Sequence, residues 1–184
     1  ERAAALELML RACLELGRTA DAGRAASELE AIATEAQTGP LRALAHLARQ
    51  VGVEPQLLDA VDEVNNRQKH VLMHKIEQHF GGHLAGKHFG LWGLAFKPKT
   101  DDVREAPALT LINHLLERGA KVAVHDPEAM ENVKALYGEK LVYGHTPLDV
   151  LEGADALAIN TEWGEFRNPD FAEMRRRMRG PVIF

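Results

Sequence analysis

The stretch Gly90-Leu91-Trp92-Gly93-Leu94-Ala95-Phe96-Lys97-Pro98-Lys99-Thr100-Asp101-Asp102-Val103-Arg104-Glu105-Ala106-Pro107 decides the fold. Its apolar first third predicts a strand over residues 89–94, followed by a glycine turn. A loop with Lys97, Lys99 and Arg104 comes next, and Pro107 suits the first position of a helix. Strand, turn and helix in that order suit an anion held at the carboxyl end of a strand. Asp101, Asp102 and Glu105 would sit near the positive end of the helix and weaken it as an anion site. Lys97 and Arg104 are then the candidate binders of phosphate or carboxylate, although a solvated surface loop explains the same spacing. The turn reads G-x-x-G rather than G-x-G-x-x-G, so a dinucleotide pyrophosphate is not expected to lie flat on it.

Downstream, short apolar runs alternate with amphipathic ones. Strands are predicted at 122–124, 141–143, 155–159 and 181–184. Between them lie helices at about 107–118, 130–137, 147–151 and 171–178. Five β segments alternating with helices predict a parallel, Rossmann-like sheet with right-handed crossovers and helices on both faces. Upstream the period is helical. Helices are expected at 1–16, 19–36 and 41–50, and the longest apolar stripe is Leu57, Leu58, Val61, Val64, Val71, Leu72, Ile76 and Phe80. A helix of that length either links domains or packs against a second copy of itself. Gly81-Gly82 ends it. The fold class expected is therefore α/β, a helical N-terminal segment leading into a parallel sheet, with the boundary between residues 1–86 and 87–184.

The 184 residues carry 46% apolar and 27% charged side chains, ordinary for a globular chain. No apolar run nears the roughly 20 residues that cross a membrane. A net charge of −5 argues against a nucleic-acid surface, so an anionic ligand must rely on a few local cations. Cys13 is the single cysteine, which excludes an intrachain disulfide and makes a reducing, cytoplasmic compartment the default. It lies on a helical stripe and reads as a small buried hydrophobe. The chain opens at Glu1-Arg2 and ends on apolar Pro181-Val182-Ile183-Phe184, which reads as a piece of a longer chain.

Other candidates read more blandly. His70 and His74, and His79 and His83, are four apart and could share a metal, but no further ligand completes a site, and solvated surface is expected. Asp126-Pro127 ends the second strand. An acid there binds ribose in a dinucleotide domain; the favoured reading is a helix N-cap with proline after it. Arg175, Arg176, Arg177 and Arg179 complement a helix C-terminus. No nucleophile elbow, Walker loop or zinc pattern occurs, so no catalytic residue and no metal is expected.

Gly93 to Pro107, together with Val64-Asn65-Asn66-Arg67-Gln68-Lys69, Asp126-Pro127, Thr161-Glu162-Trp163, Phe166 and Pro181 to Phe184, resembles the UDP-glucose/GDP-mannose dehydrogenases, and UDP-glucose 6-dehydrogenases in particular. The resemblance covers roughly residues 41–184. It implies that 57–80 is the dimer helix and that 87–184 is the UDP-sugar domain. It implies that Phe96 and Lys97 contact substrate, and that Arg104 reaches the NAD phosphates across a domain cleft. The family oxidises a sugar alcohol to a carboxylate with NAD and a cysteine thiolate. Its thiol loop, Gly-Gly-Ser-Cys-Phe-Pro-Lys-Asp, would fall where this chain has Gln37-Thr38-Gly39-Pro40-Leu41-Arg42-Ala43-Leu44, and Cys13 does not fit it. The NAD domain is absent from this sequence. The resemblance therefore implies the substrate half of a UDP-glucose 6-dehydrogenase, inactive alone. Alternatives are a non-catalytic nucleotide-sugar-binding dimerisation module, a relative acting on UDP-N-acetylmannosamine or GDP-mannose, and a structural domain whose loop binds nothing.

Overall fold

A computed structural model describes residues 54–184 without interruption, and before them Gly17, Arg18, Ala20, Asp21, Arg24, Leu44, Ala45 and Arg49. Cys13, all but Leu44 of the expected thiol-loop position at 37–44, and most of the three expected N-terminal helices lie outside the described residues. The chain divides into two compact units, Glu1–Arg67 and Gln68–Phe184. That division falls inside a helix and earlier than the boundary at 86.

Helix α1, Gln56–Lys69, opens after Pro55 and belongs almost wholly to the first unit. It buries no residue: Leu57, Val61 and Val64 are 77%, 38% and 52% exposed. Helix α2, Val71–Phe80, follows after the single turn residue His70. The long helix expected over 57–80 is thus two helices. His70 donates no side-chain cap, but its carbonyl accepts from the His74 amide (3.0 Å) and from His74 Nδ1 (2.7 Å). Gly81 ends α2 in the left-handed conformation (φ 58°), which only glycine adopts without steric cost.

In the second unit, β1 (His88–Trp92), β2 (Lys121–His125), β3 (Val142–Tyr143) and β4 (Ala156–Ile159) form one parallel sheet in the order β3-β2-β1-β4. Helices α3 (Pro107–Glu117), α4 (Met130–Tyr137) and α5 (Phe171–Arg177) alternate with the strands. The fifth strand expected at 181–184 is reduced to one parallel bridge, Leu157 with Ile183, on the outer side of β4. Two amides, Leu157 to the Val182 carbonyl (2.9 Å) and Ile159 to that of Phe184 (3.0 Å), extend the pairing. The helix expected at 147–151 is a single 3-10 turn, Asp149–Leu151.

Alternation along the strands divides the core. Phe89 and Leu91 of β1, Val122 and Val124 of β2, and Ala156 and Ala158 of β4 pack with Met73 and Ile76 of α2, Leu111, Ile112 and Leu115 of α3, and Val133 of α4. Trp92, Ala123 and Leu157 face the other way, onto Val150, Leu151, Trp163, Phe166 and Met174. Both faces are covered, as a parallel sheet requires. Among the described residues no helix is long and apolar enough to cross a membrane.

Candidate functional site

In the order β3-β2-β1-β4, the chain leaves β1 toward β2 on one side while β4 lies on the other. The carboxyl ends of β1 and β4 are therefore the topological switch point, where such sheets form a crevice. Gly93 to Ala95 follow β1 there, and Asn160 to Trp163 follow β4. Gly93 has φ 85° and donates its amide to the His125 carbonyl at 2.9 Å. A Cβ on it would stand 2.6 Å from both the amide nitrogen and Cβ of Thr161. Glycine is demanded twice, by backbone sign and by the approach of the strand beside it. Thr161 returns the contact, its hydroxyl donating to the Ala95 carbonyl at 2.6 Å. A Cβ on Gly90 would likewise lie 2.8 Å from the Val150 carbonyl oxygen. Both glycines thus serve internal packing, and this turn does not fit the pyrophosphate of NAD.

Asp126 is 1% exposed and bonds the backbone that follows β1. Its Oδ2 accepts from the Leu94 amide (2.7 Å), the Ala95 amide (3.2 Å) and Trp163 Nε1 (3.1 Å). Its Oδ1 accepts from the amides of Glu128 and Ala129, each at 2.9 Å. The second set closes a turn over residues 126–129 ahead of α4, whose N-cap is Ala129 without a side-chain cap, so Asp126 is not the helix N-cap that the sequence predicts and Pro127 is not at the first helical position. With both oxygens taken, the carboxylate is not available to a ribose. A buried charge is tolerated when hydrogen bonds replace its hydration, and five donors do so here. The Trp163 indole, buried on its face of the sheet, needs the polar partner that Asp126 provides.

From Phe96 outward the side chains turn to solvent. Phe96 is 51% exposed and Lys97 is exposed, with Nζ 5.6 Å from the centroid of the Phe96 ring. The Phe96 amide donates to the Asp102 carbonyl at 2.8 Å, closing the loop. Asn132 Nδ2 on α4 donates to the Asp101 carbonyl at 2.9 Å. Lys99 (φ 65°) and Glu105 (φ 57°) are left-handed without being glycine. Such residues cost about 1–3 kcal/mol each and cluster where a loop is held for a purpose.

The acids of this loop do not gather at the start of α3. Glu105 pairs with Lys69. Asp102 receives Arg104 through Nε (2.9 Å) and Nη2 (2.8 Å), and that hydrogen-bonded guanidinium holds its carboxyl below the usual carboxylate range. Ala106, the residue before Pro107, makes no side-chain cap. Arg104 lines a surface depression of about 470 Å³ with Thr100, Asp101, Asp102, Val103 and Asn132, and Lys97 is not among that lining. The two expected cations thus share a loop but face different surroundings.

A second cleft of about 450 Å³ lies at the ends of β2 and β3, lined by His125, Tyr143, Glu165 and Lys134 among others. His125 is buried, with Nδ1 3.0 Å from the Gly144 carbonyl and Nε2 3.5 Å from Glu165. His70, His74, His79 and His83 are all exposed, and no group of three metal-ligating side chains occurs among the described residues. Arg177 is held by Glu173 at 2.7 Å and by the Leu148 carbonyl at 3.3 Å, a structural role.

Residue spacing did not reveal the hub formed by Asp126, Thr161 and Trp163. Its outward sign is that all three fall in motifs that carry the family resemblance, Asp126 just after β2 and Thr161 and Trp163 two and four residues after β4.

The sequence profile described as the UDP-glucose/GDP-mannose dehydrogenase family, UDP binding domain, matches residues 90–184. A UDP-glucose 6-dehydrogenase from Pseudomonas aeruginosa is 45% identical over 148 residues, 78% of this chain and 33% of that protein. One from Rhizobium meliloti is 36% identical, covering 77% of this chain and 32% of that protein. The chain thus spans about a third of the length of these curated relatives. Among solved structures, a UDP-glucose dehydrogenase from the hyperthermophilic archaeon Pyrobaculum islandicum superposes with a TM-score of 0.68 at 28% identity, covering 86% of this chain and 42% of that one. With the parallel sheet and its switch-point loop, these matches show that the chain belongs to the UDP-glucose/GDP-mannose dehydrogenase family.

Proposed function

We propose that residues 87–184 hold the UDP-sugar of a UDP-glucose 6-dehydrogenase, and that the helical region 1–86 contributes dimerisation through 57–80. The observation that carries this reading is the loop after β1. Its backbone is tied down through Ala95, and the next two side chains, Phe96 and Lys97, are exposed at the switch point inside the stretch that matches a UDP-binding domain. Lys97 brings a compact charge on a flexible stem, suited to a phosphate or a sugar hydroxyl. Phe96 offers a ring face beside it.

The family reaction takes the sugar C6 alcohol to a carboxylate in two successive oxidations, each of which would pass one hydride to an NAD, with water supplying the second carboxylate oxygen. The part of this chain directed at NAD is Arg104, which would exchange the Asp102 carboxylate for a phosphate; each can offer two oxygens to its fork. The dimer reading draws on α1, whose Leu57, Val61 and Val64 are exposed. A reducing, cytoplasmic location is part of the same proposal, supported by a sequence that offers no pair of cysteines to join. The reading without catalysis, a nucleotide-sugar-binding dimerisation module, is favoured by Gln37-Thr38-Gly39-Pro40 standing where the family has its thiol loop.

Titration calorimetry with UDP and UDP-glucose tests the site. The chain is expected to bind both weakly, and Lys97→Ala to weaken them about tenfold, one charge-assisted contact. A parent that gives no heat with either ligand removes the proposal. GDP-mannose and UDP-N-acetylmannosamine in the same series identify the sugar. Incubated with UDP-glucose and NAD, the chain alone is expected to form no NADH, and measurable formation would refute its inactivity.

A further inference from the structure

We propose that Asp126 is a positioning residue for the nucleotide-sugar loop: it fixes the backbone from which Phe96 and Lys97 project and does not itself touch the ligand. This rests on the reading that those two side chains meet a UDP-sugar.

The five donors that reach Asp126 come from three segments, each just past the carboxyl end of a different strand. Leu94 and Ala95 follow β1, Glu128 and Ala129 follow β2, and Trp163 follows β4. One carboxylate therefore gathers the ends of three neighbouring strands. The consequence for the loop is local. The amides of Leu94 and Ala95 go to Asp126, the Ala95 carbonyl goes to Thr161, and the Phe96 amide goes to Asp102. The backbone is held up to the residue where the side chains become exposed. A ligand that meets Phe96 and Lys97 then meets groups whose backbone is already ordered, and the entropy of ordering them is not charged against binding.

Asparagine at 126 keeps the shape and cannot do the same work. A carboxamide has one acceptor oxygen and one NH2. If its oxygen faces Glu128 and Ala129, the NH2 opposes three donors, those of Leu94, Ala95 and Trp163. If it is turned over, the turn into α4 loses its cap. Trp163→Phe is milder, since it removes one donor of the three on Oδ2 and leaves the charge.

The test is UDP titration of the full chain followed by amide and indole NMR. Two tryptophans make assignment simple: Trp92 Nε1 donates to the Pro147 carbonyl, away from Asp126, and Trp163 Nε1 donates to Asp126. In Asp126→Asn, UDP is expected to bind about tenfold more weakly. The amide peaks of Ala95, Phe96 and Lys97 should shift and broaden while the Trp92 indole and the β4 amides stay. General loosening would move all of these together. If Asp126→Asn does not fold, Trp163→Phe carries the test, with about threefold weaker UDP binding and displaced Phe96 and Lys97 amides. An Asp126→Asn protein with the Trp92 peak in place and UDP affinity within about twofold of the parent overturns the proposal, as do unmoved Phe96 and Lys97 amides in Trp163→Phe. A parent that fails to bind UDP removes the ligand reading instead, and the amide shifts of the unliganded variants still decide whether Asp126 positions the loop.

Discussion

Helices α1 and α2 carry the same kind of apolar stripe and are separated by one residue, yet α1 buries nothing, whereas α2 buries Met73 and Ile76, the latter completely. The stripe of α2 lies against the sheet and α3, and Glu77 on its flank meets His114 of α3 (3.1 Å) and Arg118, the residue that caps its end (2.6 Å). Packing dominates that attachment. Fully burying an isoleucine side chain contributes about 1.5–3 kcal/mol, whereas exposed ion pairs contribute less. The stripe of α1 has the spacing of a buried face and no such cover among the described residues. A periodic stripe thus states that a face wants a partner, and says nothing of whether the partner is the same chain.

Cavity formation gives the largest contrast. Ile76→Ala is expected to lower the stability of the second unit by about 2–5 kcal/mol, while Val64→Ala, 52% exposed, stays within about 0.5 kcal/mol; urea unfolding by tryptophan fluorescence measures both. Equal losses would erase the distinction between the helices. Next in size, Val61→Asp with Val64→Asp should turn a dimer into a monomer in sedimentation equilibrium and leave the unfolding midpoint of the sheet nearly unmoved. A parent that is already monomeric, or a double variant that remains dimeric, removes α1 as the interface.

The smallest effect concerns acid. Burial lowers the pKa of His88, at the start of β1, below its ordinary 6.5, with the Asp155 carboxylate opposing. The folded state therefore binds fewer protons there than the unfolded chain. Its stability rises with pH through the window just below 6.5 and is lost as pH falls through it. His88→Gln should flatten that part of the stability profile. Asp102, held low chiefly by the Arg104 guanidinium, acts only at still lower pH, keeping its contribution above its ordinary 3.8 and losing it as pH falls through its depressed value. A profile that stays steep near pH 6 in His88→Gln would assign the acid loss to another group.

Much of this architecture was legible in the residues. The alternation of strand and helix from His88 onward, Pro107 at the start of α3 and Gly81 at the end of α2 all read correctly, because local period and backbone preference fix them. The terminal strand was less legible: Pro181 to Phe184 has the composition of a strand but forms a single bridge. Asp126 was legible only in part. Its bonds to Glu128 and Ala129 are local and of the kind a cap makes, but they close a turn before Ala129, the N-cap of α4, so spacing located the acid and put the helix start too early. Its bonds to Leu94, Ala95 and Trp163 join residues more than thirty positions apart, and no period encodes them.

The sequence by itself determined the class of fold and the family, because periodicity, turn residues and a contiguous motif are properties of neighbours along the chain. Only the tertiary structure decided that Arg104 is turned onto Asp102, that the glycines of the first turn serve packing, and that one buried carboxylate binds three strand ends. Those outcomes depend on which distant segments the sheet brings within hydrogen-bonding distance, and a linear pattern carries no distance across the sheet.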